Sequence, residues 1–118
     1  MTRGRFYVFR WDGEIMLVEG WKCAVSAQNG NTIDVGIFRP ANRSRCWYIS
    51  ELTSGLNIGI ASTRGEAITI AEEKSPAVYR IIEDADNPKV NDPVTVRFRE
   101  FRERMTAYVQ EQAEKPFE

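Results

Sequence analysis

The side chains able to do chemistry are few and poorly matched to each other. The chain has no histidine and only two cysteines, Cys23 and Cys46. Without imidazole there is no Ser-His or Cys-His pair, and the commonest transition-metal ligand is missing. The cysteines fall in no CxxC spacing and are too few for a disulfide framework, so they read as two buried thiols. Asp84, Asp86, Asn87, Asn91 and Asp92 form an oxygen-rich run of the kind that binds calcium. The run lacks the glycine and closing glutamate of an EF-hand loop, and Pro88 interrupts it, so it reads as a loop with helix-capping acids. Glu72-Glu73 and Glu83-Asp84 are adjacent pairs that point apart on a helix, unlike a converging acid/base pair. There is no P-loop, no GxGxxG and no GxSxG. The expectation is no catalytic residue, no metal and no cofactor. An enzyme using only carboxylates and lysine is the least favoured alternative.

Arginines set among aromatic residues are the second kind of chemistry. Residues 5–11, RFYVFRW, bring Arg5 and Arg10, and Arg39, Arg43 and Arg45 cluster before Trp47. Such residues stack on bases and contact phosphates. The spacing, however, does not match the RNP1 pattern, and no zinc-finger or helix-turn-helix signature accompanies it. Charge is divided along the chain. Residues 1–64 carry eight basic and five acidic side chains, a balance of +3, while residues 65–118 carry eight and twelve, a balance of −4. An acidic second half argues against binding a polyanion with the whole surface, but leaves room for a basic patch on the first half.

These residues sit on a run of hairpins. Residues 5–11 and 14–26 are strand-like, with Asp12-Gly13 as a two-residue turn between them. That register puts Tyr7, Phe9, Trp11, Met16 and Val18 on one face and Phe6, Val8, Ile15 and Leu17 on the other. Gly20 is a candidate bulge. Asn29-Gly30 turns the chain into a third strand at 31–38, and strands at 45–52 and 56–61 flank Thr53-Ser54-Gly55. With Leu52 opposite Leu56, Tyr48 faces Ile60, and Trp47 and Ile49 lie over Ala61 and Gly59. The period then changes. Thr63-Arg64-Gly65-Glu66 is a capping box opening a helix at 64–74, which Ser75-Pro76 should end. A second helix at 76–84, or a strand over AVYRII, follows. Asp92-Pro93 opens a helix at 93–112 with Val94, Phe98, Phe101, Met105 and Tyr108 on one stripe and arginines and glutamates around it. Residues 113–118 read as a frayed tail.

The stretch WYISELTSGLNIGIASTRGEAITIAEE resembles segments of small phage and mobile-element proteins, in which a Thr-Gly hairpin precedes a Thr-x-x-Glu-Ala helix. It is also similar to the strand-to-helix passage of HicB-type antitoxins. The stretch covers under a quarter of the chain, and its residues are those any capped ββα unit needs, so no functional residue carries over. The resemblance implies a small accessory protein that acts by binding, as phage inhibitors of host defence complexes do.

The sequence therefore predicts one α+β domain over 1–118: a five-stranded antiparallel meander followed by helices on one sheet face. Both faces of the first hairpin are apolar, which calls for a second cover or a partner. The expected function is non-enzymatic binding of a protein, or of a second copy as a homodimer, through Arg5, Phe6, Val8, Arg10, Leu17, Arg39, Arg43 and Arg45. Nucleic-acid binding by the same half is the alternative, and burial of the same aromatics in the core is the structural one. No apolar stretch is long enough to span a membrane, and MTRGRF lacks the pattern of a secretory signal, so a cytoplasmic location is expected.

Overall fold

The computed structural model describes residues 1–40 and 45–115. Five strands, β1 (Thr2–Phe9), β2 (Ile15–Ser26), β3 (Thr32–Phe38), β4 (Trp47–Glu51) and β5 (Asn57–Ala61), form one antiparallel sheet in chain order. Two helices, α1 (Arg64–Ala85) and α2 (Pro93–Glu114), follow. The fold is the expected α+β meander. Residues 113 and 114 belong to α2 rather than to a frayed tail, and Arg43 and residues 116–118 lie outside the described residues.

β-Branched residues build the main core. Val25, Ile33, Val35, Ile37 and Ile49 share one sheet face, and Ala61, Ala67, Ala71 and Val78 complete the cluster. The alanines of α1 are small enough to bring the helix close to the sheet. Thr63 caps α1, its hydroxyl accepting from the Glu66 N–H at 3.0 Å. Pro76 does not end this helix: α1 is continuous through it. Proline leaves the carbonyl four residues back, that of Glu72, without its donor. The Ser75 hydroxyl lies 2.9 Å from that carbonyl and also reaches the Ser26 carbonyl at the end of β2, so its single proton is shared between offsetting the loss and tying the helix to the sheet.

The first hairpin differs from its predicted register by one residue. The Arg10 N–H donates to the Glu14 carbonyl at 2.8 Å and the Gly13 N–H to the Arg10 carbonyl at 3.0 Å, so the loop is Trp11-Asp12-Gly13. Only Gly13, at φ +83°, takes the left-handed position. A two-residue turn would force Asp12 there as well, at greater cost to a residue with a Cβ. Phe6 therefore pairs with Val18, Val8 with Met16, Tyr7 with Leu17 and Phe9 with Ile15. The slip exchanges the faces of β2: Met16 and Val18 join Phe6 and Val8, while Ile15 and Leu17 join Tyr7 and Phe9.

The face opposite the helices covers itself. Phe6, Val8 and Phe38 are buried there, with Met16, Val18, Tyr48 and Leu52 packed around them and no helix residue in the cluster. β2 runs through Gly20 without any shift of register, where the sequence predicts a bulge. A Cβ on Gly20 would lie 2.3 Å from the Ile37 carbonyl oxygen, so only glycine lets β3 cross so closely. Phe6 of β1 lies on Gly36 of β3, and the Phe9 N–H donates to the Gly55 carbonyl at 3.0 Å. The first strand thus reaches the last hairpin.

That last hairpin follows its predicted register over Trp47–Ala61, Tyr48–Ile60 and Ile49–Gly59, then shifts between Ile49 and Ser50. The shift lengthens the turn to four residues, 52–55, and places Glu51 beneath it. Its buried carboxylate accepts from the Thr53 N–H (2.8 Å) and hydroxyl (2.5 Å) and from the Ser54 N–H (2.9 Å) and hydroxyl (2.6 Å).

α2 closes the helix side. Phe101 meets Phe9 edge-on at 4.8 Å and Tyr108 meets Tyr7 at 5.3 Å. Phe98 and Met105 are buried as predicted, but Val94 overhangs the first turn in solvent, and Thr95 is buried instead. The arginines of α2 do more than solvate it. Arg99 donates to the carbonyls of Ala85, Asn87 and Val90 at 3.0, 3.1 and 2.9 Å, holding the connection from α1, and Arg102 pairs with Asp86 at 2.9 Å.

Asp92 caps α2, and the Thr95 hydroxyl and N–H, at 2.7 and 3.0 Å, hold its carboxyl below the usual carboxylate range. A folded-state pKa below the unfolded one adds stability that is complete at neutral pH and fades as pH falls through the folded value. Asp92→Asn keeps the cap but removes this titration. We expect the melting temperature of the wild type to fall more steeply than that of Asp92→Asn below about pH 4, a standard carboxylate range, in a pH series followed by circular dichroism.

Candidate interaction surface

The predicted contact residues separate into core and surface. Phe6 and Val8 are 6% and 1% exposed and belong to the self-covered core, so neither is free for a partner. Leu17 is 48% exposed, on the helix-bearing face beside Tyr7. Arg5 is exposed on β1 opposite Glu19, and Arg10 forms an ion pair with Asp12 at 3.3 Å at the hairpin tip. Arg39 and Arg45 are exposed at the other end of the sheet, with Arg39 lying 4.7 Å over the Trp47 ring. The structure does not gather these residues into one patch.

Sequence reasoning misses the most exposed large hydrophobic side chain among the described residues. Trp11 is 93% exposed at the tip of the first hairpin. The signal was present: a tryptophan immediately before Asp-Gly belongs to the turn if the loop has three residues. The loop beneath it is firmly held. Besides its two backbone hydrogen bonds, the Glu14 N–H donates to the Asp12 carboxylate at 3.1 Å. From α2, Arg104 donates to the Gly13 carbonyl at 2.9 Å while lying over the Phe9 and Phe101 rings at 5.0 and 5.5 Å. The indole is thus presented by an ordered loop braced against a helix.

Beside the tip runs an open groove of about 340 Å³ between the hairpin and α2, lined by Gly13, Glu14, Ile15, Arg104, Ala107, Tyr108 and Glu111. Its walls are apolar and its rim carries both signs of charge. Leu17 continues the apolar floor along β2 from Ile15, two residues away on the same face.

Among the described residues, Glu51 and Cys23 are ionisable groups set into the core, and both are held by it. The four donors around Glu51 occupy the lone pairs a carboxylate has, leaving none for a substrate proton. Cys23 sits half-buried beside the α1 core, where burial pushes its thiol up and disfavours the thiolate. Among the described residues no three His, Cys, Asp or Glu side chains gather as metal ligands, and no helix is long and apolar enough to cross a membrane.

Comparison with protein-family models, curated proteins and solved structures found no match for this chain.

Proposed function

We propose that this chain is a non-enzymatic binding protein that engages a protein partner through the β1–β2 hairpin tip and the groove beside it. The exposure of Trp11 carries the reading. An indole buries on the order of 150–250 Å² when covered, and tryptophan is among the residues that dominate protein interfaces. Leaving it in water on a braced loop does nothing for the fold, while the bracing lowers the ordering cost of an association. Leu17 and the apolar groove wall extend the contact, and Arg10, Arg104, Glu14 and Glu111 supply a polar rim. The implied accessory role, occluding a surface of a host or defence complex, fits a small protein with a protruding anchor.

Capture from a lysate of the source cells, with wild type and Trp11→Ala in parallel, tests this. The wild type is expected to retain a protein that Trp11→Ala loses. Because the side chain makes so few contacts, the substitution should change stability by no more than about 0.5 kcal/mol in urea unfolding. Equal retention by a folded Trp11→Ala would contradict the reading.

A further inference from the structure

At the end of the sheet away from the hairpin tip, three arginines lie on two tryptophans of the helix-bearing face. Arg64 and Arg3 sit 4.5 and 5.5 Å from the Trp21 ring centre, and Arg39 sits 4.7 Å from that of Trp47. Register places them together. Arg3 pairs with Trp21 and Trp21 with Ile37, two residues before Arg39; Trp47 pairs with Ala61, three residues before Arg64.

Arg3 shares its charge with Glu19 at 3.5 Å, but among the described residues Arg39 and Arg64 have neither an ion pair nor a side-chain hydrogen bond. A guanidinium lying on an indole keeps its N–H edges outward and loses little rotamer freedom when those edges find an acceptor. Arg39 and Arg64, with the Arg3–Glu19 pair beside them, make an ordered, positively charged surface on a chain whose net charge is −1.

We infer that this arginine-on-tryptophan surface is a second docking site, which takes a carboxylate-rich segment of a protein partner. Forked N–H donors match carboxylate geometry and pair with it bidentately. Single-stranded nucleic acid fits less well, because it needs open ring faces for base stacking, and arginines already lie over both indoles. The site is separate from the Trp11 surface, so either can fail without the other.

Fluorescence anisotropy of the full chain with a fluorescein-labelled Glu/Asp-rich peptide, and separately with a labelled single-stranded oligonucleotide, tests the assignment at low and physiological salt. The peptide is expected to bind at low salt, and Arg39→Glu with Arg64→Glu to weaken it by about tenfold or more. Arg39→Lys with Arg64→Lys, which keeps the charge and loses the fork, should lie between. Arg80→Glu, on the exposed side of α1, and Trp11→Ala should leave binding unchanged. Circular dichroism verifies that the variants fold. Absence of peptide binding at low salt overturns the assignment, as does indifference to the Arg39/Arg64 exchange. Tighter binding of the oligonucleotide, with a steeper loss in salt, overturns it in favour of a nucleic-acid surface.

Discussion

Glu51→Ala is expected to destabilise the protein by about 3–5 kcal/mol, a large part of the roughly 5–15 kcal/mol that holds a domain of this size together. The substitution removes the acceptor of four hydrogen bonds at once, and the Ser54 they involve is fully buried. Donors left without partners cost about 1–3 kcal/mol each, less when the turn can relax to let water in. Glu51→Gln keeps one carbonyl oxygen but turns an amide toward donor groups, so it should fall between alanine and wild type. Urea unfolding reads the effect as a lower midpoint at constant slope. A loss below about 1 kcal/mol for Glu51→Ala would mean that the carboxylate does not set the 52–55 turn.

The second large effect is expected at Gly20. Alanine there places a Cβ 2.3 Å from the Ile37 carbonyl oxygen and 2.9 Å from the Phe38 Cβ. Backbone cannot swing aside as a long side chain can, so β2 and β3 must separate at this crossing. Overpacking of this kind costs about 1–3 kcal/mol and more when backbone is the obstacle. Phe38, which that Cβ would also meet, packs with Phe6 and Val8 in one buried cluster, so Gly20→Ala should also expose that cluster and raise binding of an apolar dye. Gly4→Ala, whose Cβ would meet only the flexible end of Lys22 at 3.4 Å, is the matched control on the same sheet. Equal stability of the two variants would show that the close crossing at Gly20 is not what shapes the sheet.

Gly20 and the two outer hairpins also show what the sequence could and could not reveal. Local signals were readable. The Thr63 cap, the Asp92-Pro93 start of α2 and the large-over-small pairing of Trp47 with Ala61 each depend on neighbours in sequence or directly across a strand. The length of the 11–13 loop was not readable, because Asp-Gly serves both two-residue and three-residue turns and the choice lies in one φ value. One residue of loop decided which face Leu17 and Met16 occupy. Pro76 reads as a helix end by its own chemistry, whereas the Ser75 hydroxyl, shared between the carbonyl that proline orphans and that of Ser26, makes the continuous helix tolerable. The double apolar face is legible in the sequence, but its cover is not, since the packing of Phe6 on Gly36 and Phe38 is a contact between β1 and β3 that no local pattern encodes.

The candidate site was legible in proportion. Arg10, Leu17, Arg39 and Arg45 are exposed as a contact residue must be, while Phe6 and Val8 went to the core because the sheet supplies their cover. A two-residue Asp12-Gly13 turn makes Trp11 a strand residue, which hides its place at the loop tip. The arginines of α2 looked like a solvated face, yet Arg99 and Arg104 brace the helix connection and the hairpin tip. Arginine on an aromatic-rich chain is as much a structural staple as a contact for partners.

The binding account stands or falls on Trp11. Calorimetric titration of the captured partner, once purified, against wild type and Trp11→Ala measures its contribution directly. The account predicts a loss of about 2–4 kcal/mol in binding free energy with an unchanged unfolding midpoint, the behaviour of a central anchor. An affinity unchanged by the substitution, in a protein that folds as well as the wild type, would contradict it.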